Sequence, residues 1–520
     1  MSEDEGAKER DKLVGRAGVV GAGTLLSRVL GFGRDILIAA LFTRAQTDAF
    51  AVALTIPNAL RSLLAEGAVA SAVVPVLSQR IAKGGDDAGR AFFARARGVS
   101  LLALLVVSAA GVLLAGPLTN AFAPGTHDSM GQFERTRDLT RWMFPYIFFM
   151  GTAALGMAAL NANKKFAVAA FAPGLFNVAL ILGAWLLREP LSRAGMDPVM
   201  SLAIAVLVGG VLQVVAQLPA LREIGYVGLP KLDFADPHVK EMLRRIVPMT
   251  FGLGVYYVDI LLSRRFLSEL GEGSQSYFFW ASRLCDFPQG IFVMALSTAA
   301  LPSLATFAAK GDLVELAKTW SHGLRLSLFV ALPCSVALVV MSEPIVALLF
   351  ERGNFDAVAA HETARALVWQ GGAIFTVSAV RQLVPAFYAL GDTRTPVVVS
   401  ALDLVAFVAL ALGLRGRFGH EGISMAVAGS SMVQMILLFA GLKLRLGTIR
   451  GAELFGSAAR ILLASTIAGV GGWGAGKLGG GLAGCLAFGA LYFVSAWGLG
   501  VRELFDVVRP VARRLQSRRR

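Results

Sequence analysis

Motifs for metal binding, redox chemistry and nucleotide binding are missing from this sequence. Its 520 residues include three cysteines without CxxC spacing, so neither a disulfide framework nor a cysteine metal site is indicated. The five histidines are scattered and form no ligand cluster. The sequence has no phosphate-binding loop of the type that ends in Gly-Lys-Ser/Thr. It also shows no catalytic arrangement of a nucleophile, a base and a residue that orients the base. We therefore predict a protein without a cofactor or metal and without catalytic activity.

Charge is also scarce, and its scarcity excludes an ordinary soluble domain. Only 16% of the residues are charged and 56% are hydrophobic, with a mean hydropathy of +0.65. The net charge of +14 comes from short segments between long apolar runs rather than from a folded basic domain. This pattern is typical of cytoplasmic loops that follow the positive-inside rule, so no nucleic-acid partner is expected.

The apolar runs predict an all-α polytopic membrane protein. Taking about 20 apolar residues as one span gives 14 transmembrane helices. Their predicted limits are 17–43, 48–80, 97–122, 139–162, 166–187, 199–222, 243–270, 276–308, 320–350, 357–389, 395–414, 420–446, 453–477 and 480–503.

The distribution of Lys and Arg predicts the orientation in the membrane. About 29 lie in segments that are cytoplasmic if both termini are inside, against about 10 in the opposite loops. The start of the chain, 1–16, is too charged for a cleaved signal peptide, so we expect the first helix to be retained in a cytoplasmic membrane. The tail, 504–520, is predicted to lie as a basic amphipathic segment on the anionic inner leaflet.

An internal repeat organises the predicted helices. Six residues recur 227 positions later, Ala72, Pro75, Leu77, Ala82, Lys83 and Gly84 as Ala299, Pro302, Leu304, Ala309, Lys310 and Gly311, and Pro117 recurs as Pro344. The repeat predicts two six-helix lobes around a central cavity, related by an axis along the membrane normal. A chance match among Ala-rich helices is the alternative. The predicted domains are an N-lobe at 17–222, a cytoplasmic linker at 223–242, a C-lobe at 243–446, and two additional helices at 453–503.

Three arginines interrupt the first two predicted helices. Arg28 and Arg34 lie in SRVLGFGRD, and Arg61 lies in PNALRSLLAEGA. A charge near the bilayer centre costs at least about 2.5–3.5 kcal/mol, so we expect these side chains to line a polar cavity. Ser27 lies on the same helical face as Arg34. Because arginine keeps its charge and presents a fork of donors, the sequence predicts binding of phosphate or pyrophosphate.

Acidic residues near these arginines have two interpretations each. Glu66 is predicted to be a counter-ion in the cavity or part of a structural ion pair between helices. Asp48 and Asp286 are predicted to act in gating or in an ion pair, and capping of the second helix is the alternative for Asp48. In the second half, Arg283 is followed by Asp286 and Pro288, so a charged, bent helix recurs where the repeat matches the second helix.

A cation-coupling site is a further hypothesis. Asp259, Ser263 and Asp403 could bind Na⁺ or a proton in the second half and couple it to transport. Pairing of Asp259 with Arg264 or another neighbour is the simpler interpretation.

Five stretches resemble the MurJ (MviN) family of bacterial lipid II flippases. They are SRVLGFGRD, TDAFAVALTIPNALRSLLAEGA, VVPVLSQ, SRLCDFPQGIFVMALSTAALPSL and FYALGDTRTP, and the resemblance spans roughly residues 17 to 500. It implies the fold shared with multidrug and toxin extrusion carriers. It also implies transport of undecaprenyl-pyrophosphate-linked disaccharide pentapeptide from the inner to the outer leaflet for cell-wall synthesis, among membrane lipids and cell-wall synthesis enzymes.

The resemblance also assigns roles to residues. It implies substrate binding by Ser27, Arg28, Arg34, Arg61 and Arg283, and acidic family positions at Asp48 and Glu66. Ser62 stands where the family often has a second arginine, and Ser263 where an acid of the family's Na⁺ site is often found. The implied mechanism is alternating access, in which arginines from both lobes hold the pyrophosphate and membrane potential or a cation resets the carrier.

Three other functions are alternatives to lipid II transport. A flippase for another polyprenyl-pyrophosphate glycan needs the same anionic anchor. A cation-coupled drug exporter of the same fold favours an acidic, aromatic cavity, whereas this chain collects arginines. An enzyme that polymerises or hydrolyses such lipids needs large extramembrane loops, and the longest predicted outer loop is 123–138.

Overall fold

Most of the residues that the structure describes lie in α-helices. The computed structural model describes the backbone of 3–63, 68–290, 294–447 and 451–506. Within these ranges, the side chains of 3–20, 68–71, 247–256, 294–296 and 298–300 are not described. The helices are α1 (Glu3–Leu41), α2 (Arg44–Arg61), α3 (Ala68–Leu113), α4 (Ala115–Phe122), α5 (Gln132–Met143), α6 (Tyr146–Ala162), α7 (Phe166–Leu186), α8 (Arg188–Arg193), α9 (Met200–Glu223), α10 (Pro237–Ser268), α11 (Ser274–Pro288), α12 (Met294–Ala309), α13 (Leu313–Val340), α14 (Ser342–Phe350), α15 (Ala357–Gly372), α16 (Ile374–Ala389), α17 (Arg394–Leu446) and α18 (Gly451–Gly498).

The helices group into two compact units, Met1–Gln275 and Ser276–Arg520. In the first unit, α3 packs against α6, and α7 packs against both α1 and α9. One core of this unit contains buried Phe92, Leu155 and Met242. In the second unit, α13 packs against α16 and α18 around a core that includes Trp320 and Ile461. The domain limits given by the sequence stay a prediction.

The helices recur with the 227-residue offset found in the sequence. Helix α4 begins at Ala115 and α14 at Ser342, which is 227 residues later. Helix α2 ends at Arg61 and α11 ends at Pro288, again 227 residues later. After each of these ends the chain makes a short π-helical turn, at 62–63 and at 289–290. The two halves therefore share these two helix boundaries as well as a few residue types.

These turns divide two predicted spans. The span predicted at 48–80 contains most of α2 and the beginning of α3, and the span predicted at 276–308 contains most of α11 and α12. Proline explains part of each interruption, because Pro57 and Pro288 remove backbone donors near the break. Conversely, α17 and α18 each join two predicted spans. Seven helices of the described residues are long and apolar enough to cross a membrane, and the fold is consistent with the 14 predicted spans.

Glycine makes the joints within the longest helices. In α18 the joint is Gly480, with φ 81° and ψ 175°, and in α17 it is Gly419, with φ 57° and ψ −135°. These values lie in regions that residues with a Cβ atom rarely occupy. Each of these long helices therefore contains two segments that meet at a kink.

The predicted linker is fastened to α3. Arg97 Nη1 donates to the carbonyl of Tyr226 at 3.2 Å, and the backbone N–H of Lys231 donates to Ala94 at 2.9 Å. Arg95 lies 3.3 Å from both Asp233 and Asp236. Burial raises the pKa of the Tyr226 phenol above its ordinary value. The connection between α9 and α10 is thus held against the first unit by backbone hydrogen bonds and ion pairs.

The Gly480 joint generates a stability prediction. A Cβ at Gly480 meets no atom within 4 Å, so Gly480→Ala tests backbone strain alone. We expect it to lower the free energy of unfolding by about 1–3 kcal/mol. The matched control is Gly474→Ala on the same helix, where a Cβ also meets nothing and the backbone is helical. Alanine there should raise the free energy of unfolding by about 0.5–1 kcal/mol. Thermal unfolding in detergent measures both, and equal midpoints contradict the assignment.

Candidate functional site

A buried polar cluster joins α1 to α7 in the first unit. Arg34 donates from Nε and Nη2 to Asp35 Oδ1, at 2.9 and 2.6 Å, and from Nη1 to Asn177 Oδ1 at 2.8 Å. Asn177 Nδ2 in turn donates to the backbone carbonyl of Ser27 at 2.8 Å and lies 3.3 Å from its hydroxyl. The side chains of Arg34 and Asp35 are only 12% and 7% exposed. We call these four residues the α1–α7 cluster.

The sequence of α1 allows this close packing. Ser27, Gly31 and Arg34 fall on one face of the helix, as predicted from their spacing. A Cβ on Gly31 would lie 3.4 Å from Asn177 Nδ2, so the absence of a side chain there brings the amide close to α1. The structure thus supports a packing role for Gly31. A Cβ on Gly33 would meet nothing within 4 Å.

Two members of the cluster escaped the sequence analysis. Asp35 follows Arg34 directly. Adjacent residues point about 100° apart on a helix, so a comparison of residues on the same helical face does not predict their contact. Asn177 is the lone amide in the otherwise apolar α7. A single polar residue in a membrane-spanning helix is a usable signal, because it must find a hydrogen-bond partner in the protein.

The other two arginines of the first unit lie on α1 and at the end of α2. Arg28 Nε is buried and has no hydrogen-bond partner within the described part of the chain. Arg61 is the last residue of α2, and its Nε donates to Asn58 Oδ1 at 2.9 Å. The helix break therefore follows directly after an arginine that is partly buried.

Asp48 is buried inside α2 and is not its cap. The cap is Thr43, which forms a capping box with Gln46, and the helix begins at Arg44. The capping alternative for Asp48 is therefore wrong. Asp48 Oδ2 instead accepts the backbone N–H of Gly273 at 2.6 Å, which ties α2 to the loop after α10.

Glu66, the other acidic residue predicted near these arginines, lies outside the described residues, so its counter-ion role stays a prediction.

In the second unit, Arg283 lies on α11. Its guanidinium lies over the ring of Phe279, 4.6 Å from the centroid, and Nη1 is 3.6 Å from Asp286 Oδ2. Such stacking over an aromatic face is a contact that arginine favours. The predicted neighbourhood of Arg283 and Asp286 is therefore present, while their role toward a substrate stays a prediction.

The predicted cation-coupling residues divide between the two units. Asp259 and Ser263 belong to α10 in the first unit, and Asp403 belongs to α17 in the second. The Ser263 hydroxyl donates to the backbone carbonyl of Asp259 at 3.0 Å. Arg264 Nη1 contacts Gln275 Oε1 at 3.1 Å. Among the residues searched, those that the structure describes, no group of three or more His, Cys, Asp or Glu could hold a metal ion.

Comparison with known proteins identifies the family. Residues 37–481 match the family described as Lipid II flippase MurJ. The chain belongs to the MurJ family. It is similar to the lipid II flippase MurJ of Burkholderia cenocepacia, with 38% identity over 81% of this chain and 82% of that protein. It is also similar to the probable lipid II flippase MurJ of Vibrio cholerae, with 34% identity over 82% of both chains.

Solved structures show the same fold. A MurJ structure in an inward closed conformation has a TM-score of 0.76 at 22% identity, covering 94% of this chain and 99% of that one. An inward-facing multidrug transporter of the MATE family has a TM-score of 0.68 at 14% identity, covering 82% and 96%. The resemblance to the MurJ family is thus confirmed, and the chain is a multi-pass bacterial membrane protein.

The α1–α7 cluster generates a prediction about coupling between Arg34 and Asn177. We expect Asn177→Leu to lower the free energy of unfolding by about 1–3 kcal/mol, because it removes an acceptor from a buried guanidinium. In a double-mutant cycle with Arg34→Gln, the two losses should deviate from additivity by at least about 0.5 kcal/mol. Denaturation in detergent provides the free energies.

The control cycle pairs Arg34→Gln with Asn163→Leu. Asn163 lies at the C-terminal end of α6, where its amide donates to the Ala159 carbonyl at 2.8 Å. Because it belongs to a different contact, its loss should add to that of Arg34→Gln. Additivity in both cycles would show that the α1–α7 cluster does not couple these side chains.

Proposed function

We propose that the chain moves lipid II across the cytoplasmic membrane, from the inner to the outer leaflet, and that arginines of the first unit hold its pyrophosphate. Family membership supports the substrate class. The observation that carries the pyrophosphate assignment is the placement of Arg28 and Arg34 on α1, both partly buried within an apolar helix. Fixed positive charge at that depth needs an anionic partner.

The α1–α7 cluster supports this role for Arg34 by fixing its orientation. Three of its N–H groups donate to Asp35 and Asn177. A guanidinium carries five, so one on Nη1 and one on Nη2 stay available to a ligand oxygen. Asp35 offsets the charge between transport events, and the planar fork suits phosphate. Such a site is pre-organised and does not need to rearrange its own side chain.

Arg28 and Arg61 extend the proposed site. The buried Nε of Arg28 has no hydrogen-bond partner among the described residues, and a buried donor without an acceptor costs about 1–3 kcal/mol. A pyrophosphate oxygen removes this cost. Arg61 is the last residue of α2 and is followed by the π-helical residues 62–63. Arg283 stays a predicted fourth ligand from the second unit, and Ser27 a predicted neighbour.

Transport is proposed to proceed by alternating access. The two compact units provide bodies that can move, and the π-helical turns after Arg61 and Pro288 provide places where helices bend. The contact from Gly273 to Asp48 is proposed to be one that changes during the cycle. Recognition of the disaccharide pentapeptide, coupling to Na⁺, a proton or membrane potential, cytoplasmic placement of both termini and contact with cell-wall synthesis enzymes belong to the same proposal. Asp259, Ser263 and Asp403 are its candidates for coupling.

Replacement of Arg34 tests the proposal. Arg34→Ala should abolish restoration of lipid II in the outer leaflet, in cells depleted of their own flippase and expressing this chain. Arg34→Lys should retain part of the activity, because lysine keeps the charge but loses the planar fork. Accessibility of the labelled precursor in each leaflet provides the measurement, and the amount of protein in the membrane is compared in parallel.

The matched control is Arg193→Ala. Arg193 lies on α8 with a side chain 78% exposed, 3.5 Å from Glu189. Since such an exposed pair contributes little, transport should be unchanged. A fully active Arg34→Ala protein would contradict the pyrophosphate assignment. Failure of the unaltered, correctly inserted chain to restore lipid II would contradict the substrate and favour another polyprenyl-pyrophosphate glycan.

A further inference from the structure

A pocket lies where the two ends of α18 meet α13 in the second unit. Its cavity volume is about 130 Å³, and the pocket is partly open to the surroundings. Its lining comes from α13, from the start of α18 and from the chain just after α18, and consists of Arg325, Ala452, Glu453, Gly456, Ser457, Arg460, Val501, Arg502 and Glu503. We call it the α13–α18 pocket.

The charges of the pocket leave an excess of arginine. Glu503 is 2% exposed and lies 3.6 Å from Arg325 Nε, so these two residues form a buried pair. The remaining charges are Glu453 and two exposed arginines, Arg460 and Arg502. The pocket therefore has a net positive charge and two guanidinium groups that are accessible to a ligand.

Two buried polar groups in the pocket have no hydrogen-bond partner among the described residues. The Ser457 side chain is only 9% exposed, and its hydroxyl has no hydrogen-bond partner among the described residues. Arg325 Nε likewise has no hydrogen-bond partner among the described residues. Because a buried polar group without a partner is costly, a ligand with several acceptor oxygens fits this lining. Phosphate is the group that combines such oxygens with negative charge.

The surroundings of the pocket indicate where that phosphate comes from. Arg460 is the tenth residue of α18, a helix apolar enough to cross a membrane, and an exposed arginine at that depth needs an anion. On the same helix Phe455 and Trp497 are 67% and 68% exposed, as expected for side chains that contact lipid. A free phosphate ion has no apolar part that could contact these exposed side chains of α18.

We propose that the α13–α18 pocket binds the phosphate of an anionic phospholipid head group, with Arg460, Arg502 and Ser457 as donors. The acyl chains extend along the apolar surface of α18. The count of Lys and Arg places this end of the helices at the cytoplasmic leaflet, where anionic lipids attract basic groups. The site does not depend on the pyrophosphate site proposed for the first unit.

Lipid titration tests the proposal. The full chain is delipidated in detergent and titrated with dioleoyl phosphatidylglycerol, and native mass spectrometry gives the dissociation constant of the first bound lipid. The double variant Arg460→Gln/Arg502→Gln should weaken it about tenfold or more. Ser457→Ala should weaken it about two- to tenfold. These positions leave the buried Arg325–Glu503 pair intact, and thermal midpoints verify that each variant is folded.

The matched control is Arg394→Gln. Arg394 is exposed at the start of α17 in the same unit and does not line the pocket, so its loss should leave the dissociation constant unchanged. Equal weakening by Arg394→Gln would overturn the site. Equal affinity for zwitterionic dioleoyl phosphatidylcholine would overturn the anionic selectivity. Displacement of the lipid by millimolar inorganic phosphate would show a free-anion site and overturn the lipid assignment.

Discussion

The candidate site depends on one constraint, which is that a permanent positive charge within an apolar helix needs polar partners. Arg34 has two such partners, the carboxylate of Asp35 on its own helix and the amide of Asn177 on α7. Removing one partner of such a buried group costs more than the intact contact contributes, so the three side chains act as a unit. The same contact fixes the spacing between α1 and α7 and directs the guanidinium. Packing of the first unit and recognition of an anion therefore depend on the same few atoms.

The sequence predicted the repeated architecture well because the relevant signals are local or periodic. Long apolar runs gave the spans, and the offset shared by Pro75 and Pro302 gave the two halves, whose helix boundaries also match. The breaks were harder to predict. An apolar run looks the same whether it folds as one straight helix or as two segments with a turn between them. Pro57 indicated a bend, yet its extent depends on tertiary packing.

Side-chain contacts between distant helices explain what the sequence analysis missed in the site. A single residue such as Asn177 changes the mean hydropathy of a long apolar helix only slightly, and its partner Arg34 lies 143 residues away. The position of Asp48 near the start of an apolar run suggests a helix cap. A better cap was present upstream, where Thr43 and Gln46 have the spacing of a capping box. Asp48 instead accepts a hydrogen bond from Gly273, which lies 225 residues away, and no local sequence pattern predicts such a contact.

The shared helix boundaries of the two halves have an evolutionary consequence. Such correspondence is what duplication and fusion of one ancestral segment would leave, yet the charged positions do not correspond. At the same offset Arg34 matches Leu261, and Arg61 matches Pro288. Arg283 in turn matches Ile56. Each copy thus kept part of the helix pattern and acquired its own charged residues. Because the predicted axis lies along the membrane normal, both halves face the same side of the membrane, and their different charges allow each half to make its own contacts with one asymmetric ligand.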